Sequence, residues 1–209
     1  MGNVEALRRR SRLRLLRLRS ILRDSYSLLQ HDAALAAAAF VSIDGLNLWS
    51  EFARSYLRFA LRHDETRSGV PITTGFPRGT TLEQALVQIP SVLRRPPGAT
   101  LTRLHEPAWH SRRSYLKTAR LAGLSTLAQV EAALALPLRF TEDLPVARNF
   151  FAHKNSETAE KVRNLARRYS MARVKHPCDL VLGVAPGRPV VVLEDWLAEI
   201  EMVIEIMSS

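Results

Sequence analysis

Six residues, Arg148-Asn149-Phe150-Phe151-Ala152-His153, put a cation, an amide and an imidazole between apolar side chains. Those three polar types suit chemistry at a phosphodiester. When RNA is cut by its own 2′-hydroxyl, the reaction needs a base that titrates near neutrality, and histidine is the natural choice. A phosphorane-like transition state needs fixed positive charge, which arginine supplies without deprotonating. Asparagine can orient the phosphate or the imidazole but cannot shuttle a proton. On a helix turning about 100° per residue, Asn149 and His153 share a face and Arg148 stands about 140° from His153. The three line one polar cleft if the helix stops at the histidine. A structural alternative stays open, in which Arg148 and His153 satisfy a buried polar network.

The neighbouring residues predict such a helix. Pro145 suits a first turn with Asp143 as its cap, and Ser156 suits the N-cap of a following helix from Glu157 to about Tyr169. Glu142 and Asp143 complement the dipole of the helix start. The longest helical stretch runs from His31 to about Arg62, with an interruption expected near Gly45. Its polar stripe of Asp44, Asn47, Glu51, Arg54 or Ser55, Arg58 and Arg62 has the three-four spacing of one helical face. Residues 64–80 read as a loop, and Thr81 to Leu93 as a helix interrupted by Pro90. Arg94 to Gly98 forms a break. A helix from Pro107 to Leu121 and one opened by Ser125 or Thr126 follow, the latter with capping-box spacing between Thr126 and Gln129. Trp109 and Tyr115 suit core packing or base stacking. Leu180-Val181-Leu182 and Val190-Val191-Val192 flank Gly-Pro turn residues and predict a small β-hairpin. An amphipathic helix from Glu194 to Met207 closes the chain. The fold class is mainly α, an up-and-down helical bundle with extra helices and that hairpin near the C-terminus. It reads as one domain over 1–209, with a basic N-terminal helix in 1–30 and a loop-and-helix elaboration in 64–124.

A net charge of +10 favours polyanionic partners, RNA or DNA among them, or an anionic membrane surface. Eight arginines between Val4 and Arg23 alternate with leucines, which makes a basic amphipathic helix. Arg8, Arg9, Arg10 and Arg12 are candidates for RNA contact, with Lys154 beside the histidine. Equally, this segment serves as the first bundle helix with a solvated basic face, as a membrane-surface helix or as a presequence. One cysteine, Cys178, excludes an internal disulfide framework and fits a reducing cytoplasm. Cys178 and His176 alone do not make a zinc site. The chain carries no Gly-rich phosphate loop, no Gly-x-Ser-x-Gly elbow and no His-Glu-x-x-His, so neither a cofactor nor a metal is expected. No transmembrane segment is expected, since charges interrupt every apolar run of about 18 residues.

The spacing Arg148-x4-His153, with Asn149 directly after the arginine, resembles the HEPN family of ribonucleases and nucleotide-binding proteins. The resemblance covers most of the chain as helix order and six residues as identity. It implies a HEPN-like bundle, with His153 as general base or acid, Arg148 as phosphate clamp and Asn149 as orienter. It further implies a homodimer whose two motifs face one another over bound RNA. Asp44, Asn47 and Glu51 become candidates to support Arg148 or His153 from an earlier helix. The implied setting is a cytoplasmic toxin or antiviral effector checked by an antitoxin or defence partner. A tyrosine two residues past the histidine, found in some toxin members, is Asn155 here, so regulation by modifying that residue is not supported.

Overall fold

Leucines at helical spacing draw the arginine-rich segment into the fold. In the computed structural model, which describes residues 3–27, 31–94, 100–171 and 174–209, α1 (Val4–Ser27) buries Val4, Leu7, Leu15, Leu18 and Leu22. The architecture is mainly helical. In chain order follow α2 (His31–Ala60), two-residue strands β1 (Asp64–Glu65) and β2 (Pro71–Ile72), then α3 (Leu82–Gln88) and α4 (Arg112–Leu121). Next come α5 (Leu127–Ala135), α6 (Phe140–His153), α7 (Ser156–Arg168), α8 (Pro177–Val181) and α9 (Val192–Ser208). Short 3₁₀ turns occupy Pro90–Val92 and Arg103–His105.

The chain divides into two compact units. One comprises Met1–Ser11, Trp49–Pro137 and Val203–Ser209, and the other Arg12–Leu48 and Leu138–Met202. In the first, Trp49 stacks near Phe52 and meets Tyr115 edge-on, so Tyr115 and Trp109 are core aromatics. In the second, α6, α7 and α8 pack on one another, and Phe140, Tyr169 and Trp196 fill the core.

Several expectations change here. α2 runs unbroken through Gly45, where a Cβ would stand 3.2 Å from Leu197 Cδ2 and 3.8 Å from Leu144 Cδ2. That glycine admits close packing instead of breaking the helix. Residues 64–80 hold the β1–β2 ladder, paired antiparallel at Asp64–Ile72 and Glu65–Pro71. The helix expected from Pro107 starts at Arg112, capped by Ser111. The Thr126–Gln129 capping box does not form, because Thr126 Oγ1 lies 3.0 Å from Tyr56 Oη and Gln129 donates to the Ile206 carbonyl at 2.6 Å. Leu180 and Val181 lie in α8, not in a strand, and an isolated antiparallel bridge, Val184 to Val191, stands where the hairpin was expected. His176 and Pro177 open that short helix, with Asp179 Oδ2 accepting the His176 N–H at 2.8 Å. The break expected at Arg94 to Gly98 falls largely on 95–99, outside the described residues.

Over 29 residues, Asp32–Ala60, α2 is long and apolar enough to cross a membrane by length and composition, and 44% of its most apolar window is buried inside the fold. Core helices of soluble proteins meet the same criterion.

Candidate active site

The motif helix begins five residues earlier than Pro145. Its first N–H groups, those of Arg139 and Phe140, both donate to Glu199 Oε2, at 2.9 and 2.8 Å, so a carboxylate from α9 caps the start. Burial raises the Glu199 carboxyl above its ordinary range, and these two backbone bonds pull the other way. Pro145 then falls inside α6, where it removes one helical hydrogen bond. Asp143 is no cap either. It is 1% exposed, accepts the Tyr169 hydroxyl at 2.7 Å and pairs with Arg168, while Trp196 Nε1 donates to that hydroxyl oxygen at 2.8 Å. Burial pushes the Asp143 carboxyl up, the Tyr169 bond opposes it, and the Tyr169 hydroxyl is itself raised, first by burial. This network ties the first half of α6 to the end of α7.

The helix ends at His153 as expected. Lys154 takes the left-handed conformation, φ 44°, and its N–H donates to the Phe150 carbonyl at 2.7 Å. A β carbon makes that conformation costly, so the turn after the histidine is strained. The cap of α7 is Asn155, one residue before the expected Ser156. Asn155 Oδ1 accepts the Thr158 N–H at 2.8 Å, and Thr158 Oγ1 accepts the Asn155 N–H at 3.3 Å. Phe150 and Phe151 are buried and meet edge-on, which fixes the helix beneath the polar residues.

Asn149 and His153 are exposed and Arg148 is half-buried, with its Nη1 donating to Asn149 Oδ1 at 3.3 Å. The trio thus meets solvent rather than a sealed core. None of the described residues hydrogen-bonds to the His153 ring. The helix end brings Lys154 beside it, also exposed. A groove of about 320 Å³ adjoins the same helix end, lined by Leu35 and Ala39 of α2, Phe150, Phe151 and Lys154, and His176 at the start of α8. In the sequence His176 stands out only as a neighbour of Cys178. Cys178 is buried, and burial pushes its thiol up to about 11, away from the thiolate form.

The supporting candidates fare differently. Asp44 is held by Arg14, whose Nε donates to Oδ2 at 2.8 Å, so it is not a partner of Arg148 or His153. Asn47 and Glu51 are exposed on α2. Along the same stripe Arg54 grips Glu106 through two 2.7 Å bonds, so Asp44 and Arg54 are engaged in ion pairs while Asn47, Glu51, Arg58 and Arg62 are exposed. Burial alone would raise Glu106, and the bonds from Arg54 and Trp109 hold it below the ordinary carboxylate range.

On α1, Arg8 is 8% exposed and bridges Glu5 and Glu205 at 2.8 Å each, so it is structural, not an RNA contact. Arg9 pairs with Glu5, Arg12 lies 3.8 Å from Glu201, Arg19 pairs with Glu201, and Arg23 with Glu194. Arg10 is exposed and bonds the Ala6 carbonyl, and Arg17 is exposed with no ion-pair partner among the described residues. The basic helix is therefore mostly neutralised by the protein's own carboxylates. Among the described residues, no three His, Cys, Asp or Glu side chains group as metal ligands. The chain matches no family model, no curated protein and no solved structure.

Proposed function

We propose that the protein is a HEPN-type, metal-independent endoribonuclease that cuts RNA by 2′-hydroxyl attack and leaves a 2′,3′-cyclic phosphate and a 5′-hydroxyl. One observation supports the reading: Arg148, Asn149 and His153 fall in the last six residues of α6, Asn149 and His153 exposed and Arg148 half-buried, with the guanidinium joined to the amide at 3.3 Å. In this reading His153 takes the 2′-hydroxyl proton and later protonates the leaving 5′-oxygen. Arg148 neutralises the non-bridging oxygens as charge builds, and Asn149, fixed by Arg148, orients the phosphate. Lys154, directly after the histidine, supplies a backbone contact. A second copy of the chain provides the opposite wall of the cleft, in keeping with the exposure of the trio. The setting is a cytoplasmic toxin or antiviral effector restrained by a partner protein. Incubation of the full chain with RNA in EDTA tests it. Replacing His153 by Ala should abolish cleavage, and replacing Arg148 by Ala should lower it by about 10²–10³-fold. Equal cleavage by wild type and His153→Ala would defeat the proposal.

A second reading rests on the His153 ring, which has no orienting hydrogen-bond partner among the described residues, where a general base ordinarily has one. Under it the protein is a non-catalytic HEPN RNA-binding or assembly module. Salt-dependent RNA binding that survives His153→Ala, without cleavage, favours this reading.

A further inference from the structure

Arg58, in the last turn of α2, and Arg62, one turn further along the chain, bound a cavity of about 170 Å³ within the first unit. Thr80, Thr81 and Glu83 complete its polar lining. The Gly79 N–H donates to the Leu61 carbonyl at 2.9 Å, which holds this loop against the end of α2. Arg78 Nε reaches the Arg62 carbonyl at 3.2 Å and adds a third guanidinium to the neighbourhood. Neither Arg58 nor Arg62 has an ion-pair or side-chain hydrogen-bond partner among the described residues. Arg54, one turn earlier, is by contrast fully engaged by Glu106. The Thr81 oxygen accepts the Gln84 N–H at 3.2 Å, which leaves its hydroxyl hydrogen free to donate. Cations at a helix C-terminus also complement the dipole, which is the plain account of Arg58. That account explains neither the cavity nor the second unpaired guanidinium.

We infer that this cavity binds a phosphate-sized oxyanion, either inorganic phosphate or the terminal phosphate of a nucleotide. Two guanidinium forks offer paired N–H donors to tetrahedral oxygens, and the Thr81 hydroxyl adds a neutral donor. Glu83 is the carboxylate on the lining, and it also lies 3.7 Å from Arg54. Its charge opposes the anion, so removing it tightens binding. The inference stands apart from the α6 motif and does not depend on RNA cleavage.

Isothermal titration of the full chain with inorganic phosphate, with AMP and with a short RNA lacking terminal phosphates tests it. Replacing Arg58 and Arg62 together by Gln should weaken phosphate and AMP binding roughly a hundredfold, about tenfold for each lost charge-assisted bond. Glu83→Gln should strengthen binding several-fold, and an Arg112→Gln/Arg113→Gln control should stay within about twofold. Binding of phosphate alone assigns a free anion, and binding of AMP alone assigns a carried one. Equal losses in the two double variants would reduce the effect to general attraction by a basic chain and overturn the inference. So would no binding of either anion, weaker binding by Glu83→Gln, or RNA binding without terminal phosphates that the Arg58/Arg62 variant abolishes. All substituted side chains are exposed, and an unchanged circular dichroism spectrum confirms folding.

Discussion

Asp143 offers the sharpest test of how the motif helix is held. Replacing it by Ala removes a side chain that is 1% exposed and that accepts the Tyr169 hydroxyl at 2.7 Å. The Tyr169 hydroxyl keeps its bond from Trp196 but loses the acceptor for its own hydrogen. A buried hydroxyl left that way costs about 1–3 kcal/mol. The Arg168 side chain is 50% exposed, and water replaces most of what its ion pair gave, so it adds only ~0.5 kcal/mol. The expected loss is about 2–3 kcal/mol, a fall in Tm of roughly 5–10 °C for a chain of this size. Tyr169→Phe removes the same bond from the other side, and the double variant should show a coupling of about 1 kcal/mol or more. Urea unfolding of the four proteins, followed by circular dichroism, measures it. A loss below ~0.5 kcal/mol for Asp143→Ala, or strictly additive effects, would refute the claim that this network ties α6 to α7.

Lys154→Gly should stabilise the protein by about 0.5–1 kcal/mol, because glycine adopts the left-handed conformation at φ 44° freely, and thermal unfolding reads the gain. Gly183→Ala should cost about 2 kcal/mol or more, since an added Cβ would run into the Asp179 carbonyl oxygen, and urea midpoints report it. Glu5 is held by hydrogen bonds from Arg8 and Arg9 at about 2, below its ordinary 4.5. Its folded-state value is depressed, so its stabilising contribution is present above pH 4.5 and is lost as pH falls towards 2. Unfolding midpoints at pH 5 and pH 3 should therefore diverge less in Glu5→Gln than in the wild type.

The helical character and the histidine-terminated helix were legible from periodicity and from Lys154-Asn155-Ser156. The start of α6 was not, because its cap is Glu199, 60 residues away along the chain, and no local pattern encodes that partner. Leu180, Val181 and Leu182 read as strand because a short apolar run stands beside turn residues, yet His176, Pro177 and Asp179 supply a helix start that decides the local geometry. The arginines of α1 looked like a nucleic-acid grip because their carboxylate partners, Glu194, Glu201 and Glu205, lie at the far end of the sequence. Asp44 showed the same difficulty in reverse: its spacing placed it on a polar face, while Arg14 had already claimed it. Gly45 signalled a break by propensity and turned out to be a contact with Leu197.

The central claim turns on His153 and the 2′-hydroxyl. Matched RNA and 2′-O-methyl RNA should be incubated with the full chain in EDTA, beside His153→Ala, and the fragment ends identified by mass. The account predicts cleavage of the RNA alone, to 2′,3′-cyclic phosphate ends, by the wild type alone. Cleavage of the methylated strand, 3′-hydroxyl ends, or equal activity in His153→Ala would contradict it.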